Sequence, residues 1–293
     1  MNKNKLTIAI AALAALGIIA SCSGKEETAK KEGFDATREI SVITREAGSG
    51  TRDAFVELAG VLIKQDGKKK DITTKEALTI DGTQGVMSTV SGNDYAIGYI
   101  SLGSLNSTVK ALKIDGVAPD KMSVKTGSYP ISRPFNIAIK GEASPLAQDF
   151  IDFILSNLGQ QVVDDNGYVS VSEGKTYESK KLTGKLVIAG SSSVSPAMEK
   201  LKEAYIKLNP SVEIEIQTND SSSGMLAAKE GTCDIGMASR ELKPSEAETL
   251  KSMAIARDGI AVIVNTKNPR SELRLSELRE IYTGSIRSWD QVK

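Results

Sequence analysis

The chain of 293 residues contains no histidine. That absence removes His-based triads, His-ligated zinc and the commonest acid/base group. Aromatic side chains make up only 4% of the sequence, which argues against stacking platforms for bases and against an aromatic-lined sugar cleft. An excess of charge of either sign is missing too. The 37 basic and 37 acidic residues cancel, so no global field recruits nucleic acid or an acidic membrane surface. Any anion must be held locally.

What is present is a repeated local pattern. Ser41-Val42-Ile43-Thr44 is a short apolar run that leads into Arg45, then Gly48-Ser49-Gly50-Thr51, then residues that can start a helix. This predicts a strand, an anion-sized loop and a positive helix end. Glycines let backbone N–H groups turn inward as a nest, Ser49 and Thr51 add hydroxyls, and Arg45 offers a planar fork matched to a tetrahedral oxyanion. Leu186 to Pro196 repeats the order, with Ser191, Ser192 and Ser193 in its loop. The alternating strand Val212 to Ile216 runs into a third hydroxyl cluster, Asp220-Ser221-Ser222-Ser223-Gly224, before another helix. One such loop alone would be an ordinary capped helix. Three of them, one carrying an arginine, point to a shared anion.

The amino terminus predicts the compartment. Asn2-Lys3-Asn4-Lys5 precedes an apolar run from Leu6 to Ala20, long enough for a signal h-region and short for a membrane span. The box Ile19-Ala20-Ser21-Cys22 resembles a bacterial lipoprotein signal, which implies removal of residues 1–21 and lipid on the Cys22 thiol. Residues 23–36 read as a flexible tether. With Cys22 lipidated, Cys233 has no partner for an intrachain disulfide and is expected to be a small buried apolar residue.

Further along, strand-like runs alternate with amphipathic helices, which suggests α/β lobes with mainly parallel sheets. Met198, Leu201, Tyr205 and Leu208 are expected on one buried helix face, and Leu146, Phe150, Ile154 and Leu158 on another. Lys68-Lys69-Lys70 reads as a solvated charge run near a turn, and residues 172–184 as a linker.

The segments REAGSGTRDAF, YAIGYISLGSL, GSSSVSPAMEKL, DSSSGMLAA, CDIGMASREL, DGIAVIVN and IYTGSIRSWDQV together resemble the phosphate-binding lipoproteins of bacterial ABC phosphate importers. The resemblance covers nearly everything beyond residue 37. Their order departs from the family's, in which the Gly-Ser-Ser-Ser loop comes first, so the chain resembles a circularly permuted member or the middle slice of a tandem duplication. The resemblance implies an α/β, two-lobe type II periplasmic-binding-protein fold with the ligand cleft between the lobes. One lobe would combine residues 37–131 with 269–293, and the other would span 132–268. Strands near Val262 to Asn265 and Ser132 to Ala138 would form the hinge crossings.

Carried over motif by motif, the resemblance assigns phosphate to Arg45, Ser49, Gly50 and Thr51 from one lobe and to Ser192, Ser193, Ser221 and Ser239 from the other. Ser191 or Ser222 could take a neighbour's place by a one-residue shift. Ser239 falls where many phosphate binders carry an aspartate that accepts the ligand's proton and repels sulfate. Asp220, Asp234 and Asp258 are substitutes for that acceptor, each with a structural role as the competing reading. Arg240 and Arg52 either add positive charge near the mouth or pair with carboxylates. The expectation is a monomeric, non-enzymatic solute receptor on the outer face of the cell membrane that serves an ABC permease, with no metal, cofactor or nucleic acid. Sulfate or molybdate is the alternative ligand, and a truncated, non-binding surface lipoprotein is the other reading. A serine hydrolase would need a lysine base, and no Ser-x-x-Lys motif accompanies either loop.

Overall fold

The computed structural model describes residues 33–293. The signal, Cys22 and most of the tether lie outside the described residues. The chain opens with β1 (Ser41–Arg45), α1 (Gly50–Leu58), β2 (Leu62–Gln65), β3 (Lys68–Asp71), β4 (Leu78–Ile80), α2 (Gly82–Ser91) and β5 (Ala96–Ser101). Two short strands, β6 (Val109–Ala111) and β7 (Lys113–Ile114), and α3 (Lys121–Thr126) lead to the long β8 (Ser132–Lys140). There follow α4 (Pro145–Ile154), α5 (Asn157–Asp165), β9 (Gly184–Ser191), α6 (Ser195–Leu208), β10 (Val212–Asn219), α7 (Ser221–Glu230), β11 (Ile235–Ala238) and α8 (Pro244–Ala247). The sixteen-residue β12 (Leu250–Asn265), β13 (Glu272–Leu273) and α9 (Leu275–Tyr282) come last.

A continuous sheet runs β10-β9-β11-β8-β12-β5-β1-β4. Its flanks are parallel: β1 pairs β4 and β5, and β9 pairs β10 and β11. Its centre is antiparallel. Leu250 to Gly259 of β12 pair with β8, and from Ile260 to Val264 the same strand pairs with β5. The passage between halves therefore falls at Gly259 and Ile260, upstream of the expected crossing at Val262. The partner change is a long-range event that apolar alternation within β12 does not mark.

Two large hydrophobic clusters flank this passage. One gathers Phe55, Tyr99, Val262, Tyr282 and Trp289; the other gathers Phe135, Phe150, Ile188, Tyr205 and Ile235. β12 feeds both, with Ile255 and Ala256 in one and Ile260, Val262 and Val264 in the other. Phe55 stacks on Tyr99 at 3.9 Å between centroids and meets Tyr282 edge-on at 4.6 Å. These packed rings make a rigid bed under β1.

Three local expectations need correction. The spacing of Leu146, Phe150, Ile154 and Leu158 is not one helix face, because the Ser156 hydroxyl accepts the Gly159 N–H and starts α5 afresh. Leu158 is 45% exposed as a result. Leu208, the last residue of α6, is 37% exposed, while Met198, Leu201 and Tyr205 are buried. Residues 172–183 have no regular structure, yet they are not a free linker. Tyr177 is buried and donates to Asp149 Oδ2 at 2.8 Å, as Tyr205 does from α6. Tyr177→Phe removes a donor from this buried carboxylate and should lower unfolding stability by about 1–3 kcal/mol. Urea titration checks this, and an unchanged midpoint would show that the contact is dispensable.

The Lys68 to Lys70 run forms the exposed β3 of a hairpin with β2, turned at Asp66-Gly67, both at positive φ. Cys233 is buried and free, and burial pushes its thiol up to about 11. Among the described residues, no helix is long and apolar enough to cross a membrane.

Candidate anion site

At the carboxyl end of β1 the chain leaves the sheet through Arg45 and turns at Gly48, which holds φ +88°. A side chain at Gly48 would also meet Asp220 Oδ1 at 2.5 Å. The Ser49 hydroxyl accepts the Arg52 N–H at 3.3 Å, so Ser49 is the N-cap of α1 and Thr51 lies inside the first turn. Thr51 Oγ1 then reaches Ser193 Oγ at 2.8 Å and Ser239 Oγ at 3.5 Å. Both partners come from the other half of the sheet.

There, β9 ends at Ser191 and α6 begins at Ser195, leaving Ser192 and Ser193 in the turn. Ser191 Oγ donates to Ser239 Oγ at 2.9 Å. Asp220 caps α7, which places Ser221 first in the helix with its Oγ 3.4 Å from Ser239 Oγ. The Ser239 N–H donates to Ser221 Oγ at 3.1 Å. Arg45 crosses the gap, its NH2 donating to Ser192 Oγ at 3.1 Å. Ser222 donates its N–H to Gly48 O at 3.2 Å. A Cβ on Gly50 would sit 2.4 Å from Ser221 Oγ.

All eight residues expected from the sequence thus come together in one place. Arg45, Ser49, Thr51, Ser193, Ser221 and Ser239 are buried, and Ser192 is half-buried at the rim. The amino ends of α1, α6 and α7 bring backbone N–H groups and the positive ends of their dipoles to the same spot, which favours an anion.

Two contributors were not anticipated. Thr83, in the first turn of α2, donates its N–H to Ser192 Oγ at 3.3 Å and lies 3.0 Å from Ser193 Oγ through its hydroxyl. Its signal was available, since Leu78 to Thr83 repeats the order of apolar strand, glycine, hydroxyl and helix. The second is Glu46. Its carboxylate takes Arg45 Nε and NH2 at 2.7 Å each and accepts the Gly82 N–H at 3.3 Å. Arg45 NH1 is left buried without a hydrogen-bond partner. A buried donor in that state is costly unless something else accepts from it.

The other carboxylates have structural work. Asp220 is the α7 cap, Asp234 accepts the Val187 N–H at 2.8 Å, and Asp258 pairs with Arg133 at 3.2 Å. Arg52 pairs with Asp71 at 2.8 Å, and Arg240 pairs with Glu246 at 2.7 Å and Asp53 at 3.1 Å. Among the described residues no cluster of three metal-ligating side chains occurs.

A protein-family profile described as a PBP superfamily domain matches residues 2–157 and 175–293. The chain is 50% identical over 292 residues to the phosphate-binding protein PstS 2 of Streptococcus pneumoniae serotype 4, covering 99% of each chain. It is 47% identical over 297 residues to the PstS 2 of Streptococcus agalactiae serotype V, covering 100% of this chain and 99% of the other. A crystal structure of a phosphate ABC transporter, phosphate-binding protein from S. pneumoniae superposes with a TM-score of 0.69 at 52% identity, over 87% of this chain and 100% of that one. With the phosphate-binding protein PstS of Bacillus subtilis, by contrast, identity is 35% over 140 residues, 47% of this chain and 44% of that one. The chain belongs to the PBP superfamily, in the group that holds these PstS 2 proteins, and has their α/β, two-lobe fold.

Proposed function

We propose that the chain is the inorganic-phosphate receptor of an ABC phosphate importer, and that Arg45, Ser49, Gly50, Thr51, Ser192, Ser193, Ser221 and Ser239 hold the ligand. The observation that carries this is the meeting of the α1, α6 and α7 amino ends at the hydroxyls of Thr51, Ser193, Ser221 and Ser239, with the buried Arg45 bonded to Ser192 of the same turn and its NH1 left without a hydrogen-bond partner. A tetrahedral oxyanion satisfies that donor, the hydroxyls and the helix ends at once. The same residues come from both sides of the β8–β12 passage, so ligand binding and lobe closure are one event.

In this reading, residues 37–131 with 260–293 form one lobe and 132–259 the other, the boundary moving from the expected 268/269 to the β12 partner change at Gly259 and Ile260, and the chain is anchored as a monomer by lipid on Cys22 at the extracytoplasmic face. The permuted order is part of the proposal, and the half-length match to the B. subtilis protein supports it. No catalytic activity is assigned. The Oγ atoms of Ser49 and Ser192 are occupied as acceptors of N–H groups, an arrangement that does not activate a nucleophile. Isothermal titration with phosphate, sulfate and molybdate tests the function, and tighter binding of sulfate would overturn it.

Glu46 supplies the carboxylate that Ser239 does not. A carboxylate sharing the Arg45 fork accepts the proton that phosphate carries near neutral pH and repels sulfate, which carries none. Glu46→Gln should therefore narrow the preference for phosphate over sulfate by about tenfold, the loss expected for one charged hydrogen bond. An unchanged ratio of the two affinities would place selectivity elsewhere.

A further inference from the structure

Arg133 on β8 and Asp258 on β12 are register partners next to the passage between the halves. NH2 of Arg133 donates to Asp258 Oδ2 at 3.2 Å, and both residues are buried, at 3% and 1% exposure. Ser101, the last residue of β5, donates to the other oxygen of Asp258 at 3.0 Å. Because β5 runs parallel to β1, Ser101 and Arg45 lie at the same carboxyl end of neighbouring strands. Nε and NH1 of Arg133 have no hydrogen-bond partner, nor does the buried hydroxyl of Tyr168. The Arg45 charge is near enough to weaken proton binding by Arg133. Two buried guanidinium groups with unsatisfied donors thus stand at the same end of the central strands, and only one of them belongs to the anion site already described.

We propose that the Arg133–Asp258 pair is a charge reserve behind the anion pocket that couples anion capture to proton uptake. This rests on the receptor reading and extends it from the groups that touch the ligand to what sets its pH response. With Asp258 ionised the pair is neutral. With Asp258 protonated, Arg133 becomes an uncompensated cation beside Arg45 and strengthens the field on the anion. A bound anion reciprocally disfavours the second negative charge and favours the proton on Asp258.

The surroundings permit this. Burial outweighs Arg133 and the Ser101 and Gly103 donors, and holds Asp258 up to about 6. Burial also lowers Arg133, to about 10, so it stays charged at neutral pH. The other groups facing the pair are Tyr129 and Tyr168, both raised by burial and therefore neutral. Glu46 faces Arg45 rather than the pair.

The test is calorimetric titration of the mature protein with phosphate and with sulfate from pH 5 to 8, for the natural chain and for Asp258→Asn. Sulfate does not titrate in this range, so its profile reports the protein alone. The variant carries Arg133 uncompensated at every pH, and it should bind both anions about tenfold tighter than the natural chain at pH 8. That advantage should shrink toward none at pH 5. A ratio that stays constant with pH overturns the proposal. Ser101→Ala is the milder variant and decides the matter if Asp258→Asn does not fold. Losing a donor to the carboxylate should raise the midpoint of the pH profile, and an unmoved midpoint counts against the pair. If the natural chain bound neither anion, the receptor reading itself would fail, whatever the variants did.

Discussion

Arg45→Ala should lower phosphate affinity by at least two orders of magnitude while leaving the fold intact. Removing one partner from a buried charged pair costs about 3–5 kcal/mol, and every 1.4 kcal/mol is about tenfold in affinity. The variant loses the ligand's charged donor and also leaves Glu46 without its cation, so anion and carboxylate then repel each other inside the pocket. The backbone at this position is held independently of the side chain. The Arg45 N–H donates to Tyr99 Oη at 3.2 Å, Arg52 NH1 donates to Arg45 O at 3.0 Å, and Tyr282 Oη donates to Ile43 O at 3.1 Å. Arg45→Lys keeps the charge but lacks the planar fork that serves Glu46 and Ser192 together, so it should recover only part of the affinity. Calorimetry with a parallel melting curve separates binding from stability. Near-unchanged affinity in the alanine variant would put the pocket elsewhere.

Gly50→Ala makes the complementary case, because it tests the meeting of the two halves without removing any polar group. Gly50 begins α1, and its φ is not in the left-handed region, so alanine suits its own helix and should leave the separated lobes as stable as before. The atoms nearest the added methyl all lie on the opposite side: Ser221 Oγ at 2.4 Å, Ser239 Oγ at 2.9 Å and Arg240 Cγ at 3.0 Å. Overpacking a fitted contact costs about 1–3 kcal/mol, which corresponds to a loss of about five- to two-hundredfold in phosphate affinity. The melting temperature of the ligand-free protein should stay put while the stabilisation produced by phosphate falls. If the variant bound phosphate as tightly as the natural chain, closure would not require these loops to touch.

The three hydroxyl-bearing turns were legible because their signal is local. Apolar residues ending at glycine and hydroxyl residues, followed at once by a helix, mark Gly48 to Thr51, Ser191 to Ser193 and Ser221 as strand-to-helix turns, which is what β1/α1, β9/α6 and β10/α7 form. Thr83 obeys the same pattern, yet it follows a strand of only three residues, Leu78–Ile80, too short for alternation to register. Glu46 was invisible for a different reason. A glutamate beside an arginine in sequence usually faces away from it, and only the turn at Gly48 and the amino end of α2 bring the carboxylate back onto the guanidinium.

The same division between local and long-range information explains the fold. Parallel flanks and α/β alternation follow from periodicity. The position where β12 exchanges β8 for β5 depends on partners more than a hundred residues away, and no pattern within β12 announces it. Residues 172–184 read as a linker because their composition is polar, and Tyr177 is the buried side chain that ties them to the core through Asp149, with Lys175 O accepting the Asn157 N–H beside it. A single tyrosine in such a stretch carries too little signal to be recognised as an anchor.

The central claim is that loops from both halves close on one tetrahedral anion, and a crystal structure of the mature protein grown with phosphate tests it most directly. We expect a single phosphate against Arg45 NH1, within hydrogen-bond reach of Thr51, Ser193 and Ser221 and of the first backbone N–H groups of α1 and α7. Phosphate bound away from Arg45, or a pocket that stays empty at saturating ligand, would contradict the account.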